Sequence, residues 1–390
     1  MMRPSITYVL PDLQGGVFTY VRNLLDYSKL GTFETFAVLT RSIFGGPFAN
    51  ERIGAEHEIH FCHQLPKENL YSVARRLLRV IPKGPGVVVT NDILELAAFS
   101  IYDPDKMLVM LMHGDWDYYY DLATKHANII DYFVASSKHM AAKLCDLLPE
   151  RSESVLRLPY GVTIPTHPRE HRTSTLRAVF IGRMTGQKRV LDLPKIDREL
   201  HGLGVSVEWT IIGSGPDEAL LREEWAWNPE VQWTGSIPNE AAKERLLEND
   251  ILVMPSQSEG FPVTLVEAAA AGVVPVASDL PSGIPEIAIP GCSGFRVPIG
   301  DTRQFAAAIA SLASNREMLE NMSREVRRIA VNDFDIHENV RAYDRLYERY
   351  AEERPNRRRC QRLQYGSRLD QPWIPNFAVR AIRSVTRRDL

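Results

Sequence analysis

The chain has 390 residues, of which 44% are hydrophobic and 24% charged, the composition of a soluble globular protein with enough material for two domains that each bury a core. Four cysteines (Cys62, Cys145, Cys292, Cys360) show neither C-x-x-C nor metal-ligand spacing, which argues against a disulfide framework and a zinc site and for a reducing cytoplasm. The net charge of −3 is uneven, because residues 354–390 hold ten Arg, no Lys and two Asp, a balance of +8 that leaves −11 on residues 1–353. The apolar part of the N-terminal stretch is too brief for a signal peptide, and no run reaches the length of a transmembrane helix.

Residues 6–10 read as a buried strand that leads through Gly15-Gly16 into a helix ending near Ser28. A double glycine at a helix start gives a backbone room to approach an anion, although a tight turn uses the same pair. Further strand signals at 35–39, 58–61 and 87–90 alternate with helical stretches, as in an open parallel sheet whose ligands lie beyond the carboxyl ends of the strands. The next strand, 107–112, ends at His113-Gly114-Asp115. His113 therefore stands where a side chain can face a ligand or simply brace a loop. Asp115 and Asp117, two apart, have the spacing to hold a divalent cation, but an acceptor-side or merely exposed role is the better reading. Trp116 and Tyr118 have rings able to stack on a sugar. A strand and helix N-cap follow at 131–138, then Leu158-Pro159-Tyr160-Gly161-Val162, and the polar, proline-bearing residues 163–175 read as a linker.

The second half opens with strand 176–181 and the loop Gly182-Arg183-Met184-Thr185-Gly186-Gln187-Lys188. Two cations across a glycine-containing loop at a strand's carboxyl end suit a diphosphate, Arg183 as a bidentate donor and Lys188 as a point charge. Ser214-Gly215-Pro216 reads as a plain turn after strand 207–213. A second unit of strand, loop and helix runs from Asp250 through Ser256-Gln-Ser-Glu259-Gly260-Phe261-Pro262-Val263 to Glu267 and the Ala268–Ala271 run. Pro262 stands where a helix begins, and the unpaired N–H groups of that first turn attract an anion. Gly260 permits close backbone approach, Glu267 lies one turn past Val263 on the same face, and Glu259 sits in the loop, so two carboxylates bracket a phosphate cradle. Residues 302–331 are helical, and a last amphipathic helix from Phe334 to about Glu353 carries Tyr343, Leu346, Tyr347 and Tyr350 on one stripe.

Glu259-Gly-Phe-Pro-x4-Glu267 resembles the E-x7-E signature of retaining glycosyltransferases of family four (glycosyl transferases group 1), which have the GT-B fold. Gly182-Arg183-x4-Lys188 is similar to that family's Gly-Arg-x4-Lys-Gly element with Arg189 in place of the last Gly, and Leu158 to Val162 to its Pro-Asn-Gly-Val element with Tyr160 in place of Asn. The resemblance spans about residues 3–352 and implies an α/β chain of two Rossmann-like doubly wound domains facing a central cleft. It implies an acceptor-side domain over 1–165, a nucleotide-sugar domain over 166–335, a crossover helix over 336–353 that returns to the first domain, and the Arg-rich tail over 354–390 outside the match. It further places Gly15, Gly16 and His113 against the donor's phosphate and sugar, Ile237 at the nucleobase edge, Glu259 at the transferred sugar and Glu267 on the ribose.

The expected activity is metal-independent, retaining transfer of a hexose from a nucleotide-diphosphate sugar, UDP-sugar favoured, to a glycan or lipid-linked saccharide in polysaccharide biosynthesis. Arg183, Lys188 and the helix start at Phe261, Pro262 and Val263 would stabilise the departing diphosphate without a cofactor. A nucleotide-sugar epimerase or phosphorylase of the same fold, or a catalytically silent nucleotide-sugar-binding subunit, are the competing readings. The tail is either a solubilising segment or a contact with an anionic membrane face, which would make a cytoplasmic protein peripheral on the membrane; no nucleic-acid motif is present.

Overall fold

Apolar strands joined by helical crossovers can pair only in parallel, and in this computed structural model, described over residues 3–13, 15–42, 52–101, 106–169, 175–351 and 367–386, they form two separate all-parallel sheets. The first sheet contains β1 (Ser5–Pro11), β2 (Glu34–Ser42), β3 (His57–His63), β4 (Gly86–Thr90), β5 (Met107–Met112), β6 (Tyr132–Ala135) and β7 (Val155–Arg157) in the order β3-β2-β1-β4-β5-β6-β7. Its helices are α1 (Gly16–Tyr27), α2 (Leu70–Val80), α3 (Ile93–Ile101), α4 (Asp117–Lys125) and α5 (Lys138–Leu147). β4 and β5 are buried along their whole length, as a central parallel strand covered on both faces must be.

The second sheet contains β8 (Leu176–Ile181), β9 (Val207–Ile212), β10 (Gln232–Gly235), β11 (Ile251–Met254), β12 (Val274–Ser278) and β13 (Phe295–Val297), ordered β10-β9-β8-β11-β12-β13. Between and after these strands come α6 (Leu193–Gly202), α7 (Glu218–Glu224), α8 (Asn239–Leu247), α9 (Val263–Ala271), α10 (Ile284–Ile287), α11 (Thr302–Ser314), α12 (Arg316–Asp333), α13 (Ile336–Glu348) and α14 (Asn376–Thr386). In each sheet the order reverses once, beside β1 and β4 in the first and beside β8 and β11 in the second. Loops leaving neighbouring strands at such a point diverge and leave room for a ligand.

Two compact units result, one of residues 1–136, 140–158 and 340–390, the other of 137–139 and 159–339. The divisions fall at Leu158/Pro159 and Asn339/Val340, against the expected 165/166 and 335/336, because residues 159–162 pair inside the second unit. Val162 N–H donates to Phe334 O at 2.9 Å, Ile336 N–H returns to Val162 O at 3.0 Å, and a Cβ on Gly161 would come within 2.7 Å of Ile336 Cα. The C-terminal part of α13 belongs to the first unit, where Tyr343 meets Tyr20 at 5.9 Å, Tyr347 meets Tyr8 at 6.2 Å, and Asp344 accepts from Ser28 Oγ at 2.7 Å. Helical residues 302–331 are interrupted at Asn315, which caps α12 with its side chain.

Two expectations are corrected. The stretch read as a linker is anchored at Arg169, 5% exposed, whose Nη1 lies 2.6 Å from Asp250 Oδ1 and which also pairs with Glu320; residues 170–174 lie outside the described ones. Arg177 shares the same carboxylate at 3.0 Å, so a buried Asp250 ties the entry of the unit to the start of β11. The Arg-rich tail is not a bare solubilising segment over 367–386: Asn69 Nδ2 donates to Gln371 O and Ile374 O, both at 2.9 Å, Asp370 accepts from Leu70 N–H at 2.9 Å, and Arg383 pairs with Asp370 at 2.7 Å. Residues 354–366 and 387–390, with Cys360, lie outside the described residues.

Removing one partner of a buried ion cluster leaves the others desolvated and uncompensated. Asp250→Ala is expected to destabilise the second unit by about 3–5 kcal/mol, read as a lowered urea midpoint with an unchanged slope; a loss below about 1 kcal/mol would show that solvent reaches Arg169 and Arg177.

Candidate functional site

In the second unit, β8 delivers the Gly182–Lys188 loop and β11 delivers the Ser256–Pro262 loop, both at carboxyl ends beside the reversal of strand order. The loops are stitched by backbone: Gln257 N–H donates to Gln187 O at 2.8 Å and Gln187 Nε2 donates to Ser258 O at 3.2 Å. That docking brings Lys188 Nζ to 2.6 Å from Glu259 Oε1, with the carboxylate side chain 7% exposed and the lysine 26%. Arg183 is exposed on the same loop. Lys188 has three N–H donors, so one can serve Glu259 while others remain for a bound oxyanion.

Behind the loop, α9 starts at Val263, after an extended Pro262 that provides no side-chain cap. Its first-turn N–H groups are thus left to backbone, water or ligand. The helix ends on Gly272, at φ +78°, with Val273 N–H to Ala268 O at 2.8 Å, the left-handed close that glycine favours. The Phe261 side chain turns into the core: it is 6% exposed, its ring stands 5.6 Å from those of Tyr160 and Phe334, and it fills the space a Cβ would take at Gly283. What Phe261 can offer an anion is its backbone, and Gly260 O is tied to Gly283 N–H at 3.1 Å.

Glu267 lies on α9 where Asn239, at the start of α8, donates to its Oε1 at 3.4 Å. Burial pushes its carboxyl above the ordinary glutamate value, against the opposing charge of Lys243. Ile237 is half-buried two residues before Asn239, so the expected nucleobase edge and ribose carboxylate share one corner.

Two determinants escaped the sequence reading. Gly213 and Gly215 were expected to be a plain turn, yet a Cβ at Gly213 (φ +126°) would lie 2.0 Å from Gly182 O and one at Gly215 2.3 Å from Met184 O. They permit the contact that seats the Arg183 loop; the signal was the G-x-G directly after a strand. Arg189, where the family has Gly, takes φ +49°, the only non-glycine positive φ among the described residues, and its Nε pairs with Asp192 at 2.7 Å.

In the first unit, Gly15 caps α1 and neither Gly15 nor Gly16 has any heavy atom within 4 Å of a built Cβ, which leaves the turn after β1 open. His113, at the end of β5, contacts Asn91 Oδ1 through Nε2 and stands edge-on to Tyr20 at 6.0 Å. Asn91 Nδ2 donates to Val9 O at 2.6 Å, which turns its oxygen to the histidine and places the ring proton on Nε2. Burial pushes the imidazole down to about 4, so it is neutral, with its Nδ1 lone pair as an acceptor. Asn91, directly after β4, was not singled out from sequence.

The acceptor-side residues separate. Asp115 accepts from Tyr120 OH at 2.5 Å, and Lys143 Nζ lies 3.6 Å from Asp115 and 3.5 Å from Asp117, an ammonium where the cation reading put a metal. Tyr118 OH donates to Asp92, whereas Trp116 is half exposed and stacks on Tyr119 at 5.8 Å. Among the described residues, Glu34, Glu56 and His57 form the one group with metal-ligand proximity, at the exposed edge strand and apart from these residues.

Residues 167–329 match the family model of glycosyl transferases group 1. The amylovoran biosynthesis glycosyltransferase AmsK of Erwinia amylovora is 33% identical over 185 residues, 45% of each chain, and the lipopolysaccharide 1,6-galactosyltransferase of Salmonella typhimurium is 31% identical over 185 residues, 44% of this chain and 50% of that one. The chain thus spans about half the length of the curated relatives it matches. Among solved structures, Anabaena HepE in complex with UDP and glucose superposes with a TM-score of 0.69 at 14% identity over 88% of this chain and 99% of that one. The apo lipopolysaccharide outer core galactosyltransferase WaaB gives 0.67 at 18% over 88% and 99%. At such identities the likeness is one of fold, two Rossmann-like units as in GT-B proteins. The matched segment covers most of the second unit and contains Arg183, Lys188, Glu259 and Glu267, so it is this part of the chain that is similar to the group 1 glycosyl transferases.

Proposed function

We propose that the chain is a metal-independent, retaining glycosyltransferase that moves a hexose from a nucleotide-diphosphate sugar, UDP-sugar favoured, to a glycan or lipid-linked saccharide of polysaccharide biosynthesis, met at an anionic membrane face. The observation that carries this reading is the Lys188–Glu259 pair set beside the uncapped start of α9. Arg183, Lys188 and the backbone N–H groups of Phe261 and Val263 supply positive potential for a diphosphate, the role a metal fills elsewhere. UDP is the nucleotide in the HepE complex, and related names attach to surface-polysaccharide assembly.

In the proposed reaction the C–O bond from the anomeric carbon to the β-phosphate breaks, and the phosphate oxygen it frees takes the proton of the acceptor hydroxyl. That hydroxyl attacks from the same face, so configuration is kept. A carboxylate held 2.6 Å from an ammonium is a weak nucleophile, which favours this front-side path over a covalent glycosyl intermediate on Glu259. Glu259 and neutral His113 orient the sugar, and Glu267 takes the ribose hydroxyls. A silent binding subunit would need no acceptor, a phosphorylase would use inorganic phosphate in place of a saccharide, and an epimerase would return the sugar to the same nucleotide.

A transfer assay over a panel of nucleotide sugars, with and without chelator, tests the reading: a retained anomer formed at undiminished rate in EDTA is expected, and an inverted product or an absolute metal requirement would overturn it. Lys188→Ala and Glu267→Ala should each lower turnover about a hundredfold or more with the fold intact; near-normal rates would remove the assigned roles.

Glu267 also makes a pH prediction. Its folded-state pKa is raised, so the folded chain holds this proton more tightly than the unfolded one, and the carboxylate costs stability once pH climbs above the ordinary glutamate value. Glu267→Gln is expected to raise the melting temperature at pH 7 relative to wild type and to lose that advantage at pH 4, while turnover falls; an unchanged difference across that range would place the carboxylate in open water.

A further inference from the structure

The docked C-terminal helix has one face the first unit does not cover. Val379 is fully buried, and Asn376 Nδ2 donates to Glu68 Oε1 at 2.9 Å while Arg383 Nη1 donates to Pro66 O at 2.8 Å, which fixes the inner face. On the outer face Phe377, Ala381 and Val385 follow at i, i+4 and i+8, with Ile382 beside them and Trp373 just before the helix. Phe377 is 76% exposed, Val385 73%, Trp373 67% and Ile382 44%. Large apolar side chains grouped in this way on a surface mark a contact.

We propose that α14 is an interfacial docking surface for an anionic lipid bilayer, lying in the plane of the head groups with Phe377, Val385, Ile382 and Trp373 inserted. The helix is eleven residues long, and no helix among the described residues is long and apolar enough to cross a membrane, so this element lies on a bilayer rather than through it. Charge selects the occupant. Residues 354–390 carry +8 against −11 on the rest of the chain, and Arg380 flanks the apolar stripe. Anionic lipid answers both the basic segment and the apolar stripe, whereas a second copy paired through α14 would bring two basic segments together. Inner-face contacts hold the helix against α2 before any lipid is met, so its apolar stripe is presented ready-formed, with little ordering left to do on binding. The inference rests on the membrane-face part of the proposed function and deepens it by assigning the contact to α14, while lipid binding is measured independently of transfer.

Co-sedimentation of the full chain with phosphatidylcholine vesicles, with and without phosphatidylglycerol, tests it. Binding is expected at least about tenfold stronger to the anionic vesicles, reduced but not abolished by molar salt because the apolar part is not screened. Phe377→Ser with Val385→Ser should lower that binding about tenfold or more, with unchanged circular dichroism and unchanged transfer to a water-soluble acceptor. Arg380→Glu, which touches no apolar packing, should weaken anionic binding alone and covers the case in which the double variant folds poorly. No vesicle binding, equal binding to neutral vesicles, or binding indifferent to all three substitutions would overturn the proposal. A concentration-dependent dimer lost in the double variant would also overturn it, by assigning the face to a second copy.

Discussion

The interaction on which the second unit's chemistry turns is the 2.6 Å contact between Lys188 and Glu259. Neither residue is on a regular strand. Each stands on a loop leaving one of two adjacent parallel strands, β8 and β11, at the point where the sheet's connections depart in opposite directions. The loops could drift apart there, and backbone bonds between 187 and 257 hold them together. A partly buried ion pair adds little to stability, because desolvation offsets most of the attraction. Its value is electrostatic poise. A lysine shared between a fixed carboxylate and an incoming diphosphate can shift its hydrogen bonds as charge develops on the leaving oxygen, without the loops reorganising.

The first unit applies the opposite device at the same topological place. Where the second unit gathers charge, the ends of β4 and β5 suppress it. Asn91 anchors to Val9 and orients a neutral His113, and Glu95, 2% exposed, accepts from Asn91 N–H at 3.3 Å with its carboxyl pushed well up by burial. Lys143 offsets part of the charge of the Asp115–Asp117 pair. A region with neutral hydrogen-bonding groups and an exposed Trp116 suits hydroxyls better than phosphates. The two units thus differ in the charge they carry at the reversal of strand order, although their sheets have the same parallel plan.

How much of this was legible depends on whether the determinant was local. Strand, loop and helix around Glu259 were readable because apolar periodicity, Pro262 and the alanine run are all near neighbours in sequence. Family resemblance supplied Lys188 and Glu267 by spacing. Contacts between distant segments were not readable. Gly213 and Gly215 looked like turn residues because the atoms they must avoid belong to residues 182 and 184, a strand and a helix away. Arg169 looked like linker because Asp250 is eighty-one residues downstream. The Arg-rich composition of the tail hid Asp370 and Asn376, which reach back three hundred residues to Leu70 and Glu68. At Arg189, which stands where the family has Gly, the chain accepts a positive φ in a residue whose guanidinium pairs with Asp192 and takes the space a Cβ would need at Gly300.

Glu259 and Glu267 stand eight residues apart, one before α9 and one on it, and their surroundings make them different reagents. An ammonium lies 2.6 Å from Glu259, so this carboxylate is already engaged by a cation. Glu267 has an amide at 3.4 Å and burial that favours its proton, so its charge depends on what else enters the corner. Hydroxyl donors are what would stabilise it. A ribose with two adjacent hydroxyls supplies them, and a ligand that satisfies a desolvated carboxylate gains affinity that one lacking those hydroxyls forgoes. Selectivity for a ribonucleotide on this reading comes from a penalty already present in the empty site, not from an added contact. In the proposed reaction the sugar's position is left to the carboxylate paired with Lys188.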